Sequence, residues 1–106
     1  MRLLLDECVD ERLRHLFAPH ECQTARFAKM AGLKNGELLA AAEKAGFEAI
    51  VTTDQEIPFQ QRVAGRAIAV LILQAPTNRL EDLKKLVPAA LNALALIRPG
   101  EVARVS

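Results

Sequence analysis

The chain reads as a three-layer α/β/α protein built on a mainly parallel sheet of four or five strands. Three observations predict this. Strand-like and helix-like patterns alternate from end to end. Two of the strands, Ala49 to Thr53 and Ala67 to Leu73, are apolar without the in-out alternation of a sheet that faces water on one side. No repeat, low-complexity tract or linker interrupts the series.

Taken in order, Arg2 to Leu5 opens as a strand and is ended by Asp6 and Glu7. Asp10 introduces a helical stretch with Leu13, Leu16 and Phe17 at helical spacing, which Pro19 breaks. Glu21 to Phe27 returns to a weaker extended pattern with Cys22 and Thr24 expected inward. Gly32 to Gly36 is a loop in which Asn35 is the candidate cap of a helix carrying Leu38, Leu39, Ala42 and Ala45, and Gly46 supplies the left-handed stop. Ala49 to Thr53 is expected at the centre of the sheet, Gln55 to Gly65 is irregular, and Ala67 to Leu73 is a further buried strand. From Arg79 to Ile97 a helix presents Leu80, Leu83, Leu86 and Val87 on one face, and Pro88 kinks it or starts a second piece. Pro99 and Gly100 end it, and Glu101 to Val105 adds an edge strand.

With 106 residues, 51% of them hydrophobic and 25% charged, the chain fits one domain, 1–106, with a real core. It has no apolar run of membrane-spanning length and no leader-like start, so a cytoplasmic protein with no membrane partner is expected. Cys8 and Cys22 are too few for a zinc knuckle and are read as reduced, buried thiols. A net charge of +1 removes the global basic character of a non-specific nucleic-acid binder. Four Phe with neither Trp nor Tyr argue against a base-stacking module.

The chemistry-bearing pattern is acidic. In open parallel sheets ligands bind beyond the carboxyl ends of the strands, and Asp6 and Asp54 each follow a buried strand directly. Glu37, in the first turn of the second helix, can reach the same edge, with Glu7 and Glu56 as outer members. Carboxylates that converge without cations repel one another, and the usual remedy is a divalent metal; oxygen ligands favour Mg²⁺ or Mn²⁺, which activate water against a phosphodiester. Each acid also has a local reading: Asp6 capping the turn after its strand, Glu37 complementing the helix dipole, Asp54 capping a turn near Gln55. Spacing alone leaves both accounts open.

Leu4-Leu5-Asp6-Glu7, Asn35-Gly36-Glu37-Leu38-Leu39, and Val51-Thr52-Thr53-Asp54 followed by Gln60-Gln61 resemble the PIN-like family of small proteins called DUF5615. The likeness spans nearly the whole chain and takes in His20, Thr24, Phe47 and the closing Pro99-Gly100-Glu101-Val102. It implies a PIN-like fold and a metal-dependent endoribonuclease of the toxin kind found in toxin-antitoxin pairs. RNA would be its substrate, an antitoxin its protein partner, and Asp6, Glu37 and Asp54 its metal ligands. The family commonly has an Asp two positions beyond the last ligand; this chain has Glu56.

Around the acids, Arg26, Lys29 and Lys34 precede the second helix and Arg62 and Arg66 follow the last acid, placed either to hold phosphates or to form a solvated surface. Thr52, Asn35, Gln60 and Gln61 are candidate supports for the carboxylates. His15 and His20 are read as structural. The face of the C-terminal helix with Leu91, Leu94 and Ala95 is either core or a homodimer or antitoxin interface. Two other functions compete with the nuclease: a non-catalytic interaction protein of PIN-like fold, and a phospho-acceptor receiver-like domain with Asp54 as acceptor. The receiver lacks its Lys-Pro after the final strand and leaves Glu37 without a role.

Overall fold

The structure is a computed structural model that describes residues 1–57 and 62–106, with Asn35 described through its backbone. Five strands, β1 (Arg2–Leu5), β2 (Glu21–Thr24), β3 (Ala49–Thr52), β4 (Ala69–Leu73) and β5 (Val102–Val105), form one sheet in the order β2-β1-β3-β4-β5. Every neighbouring pair is parallel. The expected three-layer α/β/α architecture with its central β3 is therefore present, and it matches the PIN-like arrangement.

Continuous apolar strands produce two cores. Leu3, Leu5, Val51 and Leu71 point to one face, where a 3-10 helix (Glu11–Phe17) contributes Leu13 and Phe17. Leu4, Ile50, Val70 and Ile72 point to the other, where helix α1 (Asn35–Lys44) contributes Leu38, Leu39 and Ala42. Helices α2 (Leu80–Lys84) and α3 (Val87–Leu96) return to the first face through Leu83, Val87, Ala90 and Leu94. Pro88 sits in the first turn of α3, where its missing N–H costs nothing, so it starts a new helix. Leu94 is core, Leu91 half-buried and Ala95 exposed, so most of that apolar face is spent inside the molecule.

The β1-to-β2 connection and the β4-to-β5 connection run on the same face while the chain moves across the sheet in opposite directions. They therefore have opposite hands. The seven-residue 3-10 helix covers only part of that face, and α2 and α3 close the remainder.

Several local expectations shift. The first helix is 3-10 in form, with Asp10 as its cap accepting from the Arg12 N–H. The second strand ends at Thr24 because the chain turns there: the Thr24 carbonyl accepts from Ala28 N–H and its Oγ1 from Phe27 N–H. Asn35 is the first residue of α1, and Lys34 holds the extended cap position with no side-chain bond. Gly46 is the left-handed stop, at φ +86°. No helix among the described residues is long and apolar enough to cross a membrane.

Candidate functional site

The strand order reverses between β1 and β3, since the chain leaves β1 toward β2 and then returns past it. A crevice opens at the carboxyl ends of these two strands, as the topology requires. Its walls include Asp6, Cys8, Lys34, Leu38, Thr53 and Asp54, with Glu7 at its edge. The Asp6 N–H bonds to the Val51 carbonyl at 2.9 Å, which prolongs the β1-β3 ladder by one step and sets Asp6 opposite Thr52.

Thr52 organises this point. It is the only buried polar residue among those described. Its Oγ1 donates to Asp6 Oδ2 at 2.8 Å and accepts from the Asp54 N–H at 3.0 Å, so one hydroxyl ties the two strand-end acids together. One oxygen of each neighbouring acid, and both of Asp6, accept further bonds from the chain. Asp6 Oδ1 receives the Glu7 N–H at 2.8 Å and Oδ2 also receives the Cys8 thiol at 3.5 Å. Asp54 Oδ1 receives the Glu56 N–H at 2.9 Å, and Glu7 Oε1 receives the Gly32 N–H at 3.1 Å. These are turn and loop closures of the kind short acidic side chains make beside a strand end.

This geometry corrects the metal-site expectation. No group of three His, Cys, Asp or Glu side chains able to hold a metal ion exists among the described residues. Asp6 and Asp54 share the crevice, but Glu37 is exposed and does not line it, although its neighbours Lys34 and Leu38 do. Glu37 sits in the first turn of α1, where a negative charge complements the helix dipole. Glu56 is exposed and supplies its backbone N–H, not its carboxylate, to Asp54. The expected Mg²⁺ or Mn²⁺ cofactor, the metal-dependent endoribonuclease activity and the hydrolase reading that followed from them are therefore not supported. The receiver-like alternative placed Mg²⁺ on Asp6 and Glu7; here one Glu7 carboxylate oxygen is turned to the Gly32 N–H.

The basic residues scatter. Lys34 lines the crevice, Lys29 is exposed at φ +61°, and Arg62 is exposed. Arg66 is paired with Glu43 at 3.2 Å. Arg26 stands on the far side of Asp6, in a second cleft that joins the crevice to the outer edge of β2 through Thr24. Gln60 and Gln61 lie outside the described residues.

The thiols separate. Cys22 is half-buried, and burial pushes its thiol up to about 11 against the opposing pull of the Arg14 guanidinium. Cys8, expected buried, is exposed beside Asp6 and accepts from Thr53 Oγ1 at 3.2 Å. Sequence reasoning missed that placement because Cys8 is two residues past the end of β1, where burial no longer follows strand alternation. His20 stands 3.2 Å from the chain's amino group, in keeping with a structural place, and His15 is exposed on the 3-10 helix. Compared with protein-family models, with curated proteins and with solved structures, the chain finds no match in any of the three.

Proposed function

We propose that this chain is a non-catalytic interaction protein that uses a PIN-like scaffold, of the DUF5615 kind its motifs resemble, to hold a protein partner. The observation that carries this reading is the engagement of Asp6, Glu7 and Asp54 by the chain's own N–H and O–H donors. A metal-dependent site needs carboxylate oxygens that face a common point and keep it hydrated. Here the same oxygens hold turns in shape, and their value is structural. Low net charge and the absence of Tyr and Trp favour a protein over a nucleic acid as the partner.

The test is incubation of the protein with single-stranded and structured RNA in Mn²⁺, with and without chelator, beside Asp6→Ala. The expected result is no cleavage above background in any condition. Chelator-sensitive cleavage that disappears in Asp6→Ala would end the proposal.

A further inference from the structure

The outer edge of β2 is open. This strand pairs with β1 on one side and has no neighbour on the other. Glu21 donates to the Met1 carbonyl and Ala25 to the Leu5 carbonyl, so the residues that bond to β1 are the odd-numbered ones. Strand alternation then turns the backbone groups of Cys22 and Thr24 outward. The Thr24 carbonyl is closed by Ala28 N–H, whereas the Cys22 N–H, the Cys22 carbonyl and the Thr24 N–H have no partner among the described residues.

A cleft of about 520 Å³ opens at the Gln23–Thr24 end of this edge. Gln23 and Thr24, successive residues that point to opposite faces, both line it, so it lies on the strand edge and not on one face of the sheet. Its far wall is the 3-10 helix with Arg14 and His15, and its end is formed by Arg26 and Phe27. Phe27 is 74% exposed, a large apolar ring left in solvent. Arg12 is neutralised by Asp10 at 2.7 Å. Arg14 and Arg26 have no ion-pair partner among the described residues, and Glu11 is the one acid on the cleft wall.

We propose that the β2 edge cleft takes an extended acidic segment of a partner protein, which adds to the sheet beside β2. This deepens the interaction reading and rests on it. Unpaired N–H and C=O groups along a strand edge are satisfied by another extended backbone. Arg14, Arg26 and His15 select acidic side chains on that backbone, and Phe27 offers an apolar side chain a ring to cover. A second copy of this chain fits poorly, because two-fold pairing of β2 with itself sets the Arg14 and Arg26 of both copies against each other. An RNA strand brings phosphates for the arginines but no backbone donors and acceptors at strand spacing.

The experiment is a titration of the ¹⁵N-labelled full chain with a peptide of about eight residues alternating Glu and Val, long enough to span the strand at roughly 3.3 Å per residue. The same peptide with Lys for Glu, and a uridine oligonucleotide, run beside it. Saturable shifts confined to the amides of residues 14–15 and 22–27 are expected, with slowed exchange of the Cys22 and Thr24 N–H groups. Arg14→Glu with Arg26→Glu should weaken binding about tenfold or more while leaving the remaining spectrum in place. The inference is overturned if the acidic peptide leaves these amides unmoved, if the Lys peptide binds as well, or if the oligonucleotide binds there more tightly. Shifts at Asp6 and Asp54 instead would sink the cleft while keeping the interaction reading; metal-dependent cleavage would remove the reading itself.

Discussion

Thr52 is the residue on which the crevice turns. Its hydroxyl is fully buried and serves the Asp6 carboxylate and the Asp54 N–H at once. Thr52→Val keeps the shape and removes both bonds, leaving groups near the core without their partner; a loss of about 1–3 kcal/mol in urea unfolding is expected. At Asp10 the hydrogen bonds from the Arg12 side chain and backbone hold the carboxyl well below its ordinary value, at about 2. Because the folded-state value lies below the unfolded one, the stabilisation is present above the unfolded value near 4 and is lost as pH falls toward 2. A carboxyl-carbon NMR titration should show this low midpoint, and Arg12→Ala should move it up toward 3.8. The Cys22 thiol runs the other way: raised from 9.0 to about 11, it contributes stability that is intact below pH 9 and declines as pH climbs toward 11. A thiol reagent at mildly alkaline pH should therefore label exposed Cys8 quickly and Cys22 only slowly.

At the scale of elements, α1 ends in a motif whose parts were partly visible in sequence. Phe47 N–H reaches the Ala42 carbonyl and Gly46 N–H the Glu43 carbonyl, with Gly46 left-handed between them. A Cβ at Gly46 meets Arg2 Nη1 at 3.0 Å, the mobile end of a side chain that bonds the Ala45 carbonyl and lies over the Phe47 ring. Gly46→Ala is thus expected to cost about 1 kcal/mol, chiefly through backbone strain, as a lowered melting temperature will show. The Gly46 stop was legible because glycine enters the left-handed region without strain. An interruption at Pro88 was legible because proline breaks a helix interior, although a kink and a fresh start were both open there. The β3 and β4 strands were legible because burial on both faces leaves an unbroken apolar run. The early end of β2 was not, since it depends on Thr24 closing a turn through its own side chain. Nor was the 3-10 form of the first helix, whose apolar spacing suits either helical type.

For the whole molecule, sequence order placed Asp6 and Asp54 at strand ends on one edge of a parallel sheet, and their meeting there hung on β1 and β3 being neighbours, which the fold supplies. Sequence order was not enough to predict what the carboxylates do there. That depends on side-chain directions after the strands end, set by contacts such as Thr52 with Asp6 and Gly32 with Glu7. Glu37 failed to join them for a related reason: at the start of α1, Lys34 and Leu38 face the crevice while Glu37 faces water. The β2 cleft was missed although Arg26 was singled out, because nothing in the order of residues says which strand becomes the edge. Among the described residues these acids serve the fold and do not form a cation site. Titration of the ¹⁵N-labelled protein with Mn²⁺, reading paramagnetic broadening of the amides around Asp6, Glu37 and Asp54, tests this most directly. Weak, unsaturable broadening spread over all exposed acids is predicted; saturable broadening centred on these three and abolished in Asp6→Ala would contradict it.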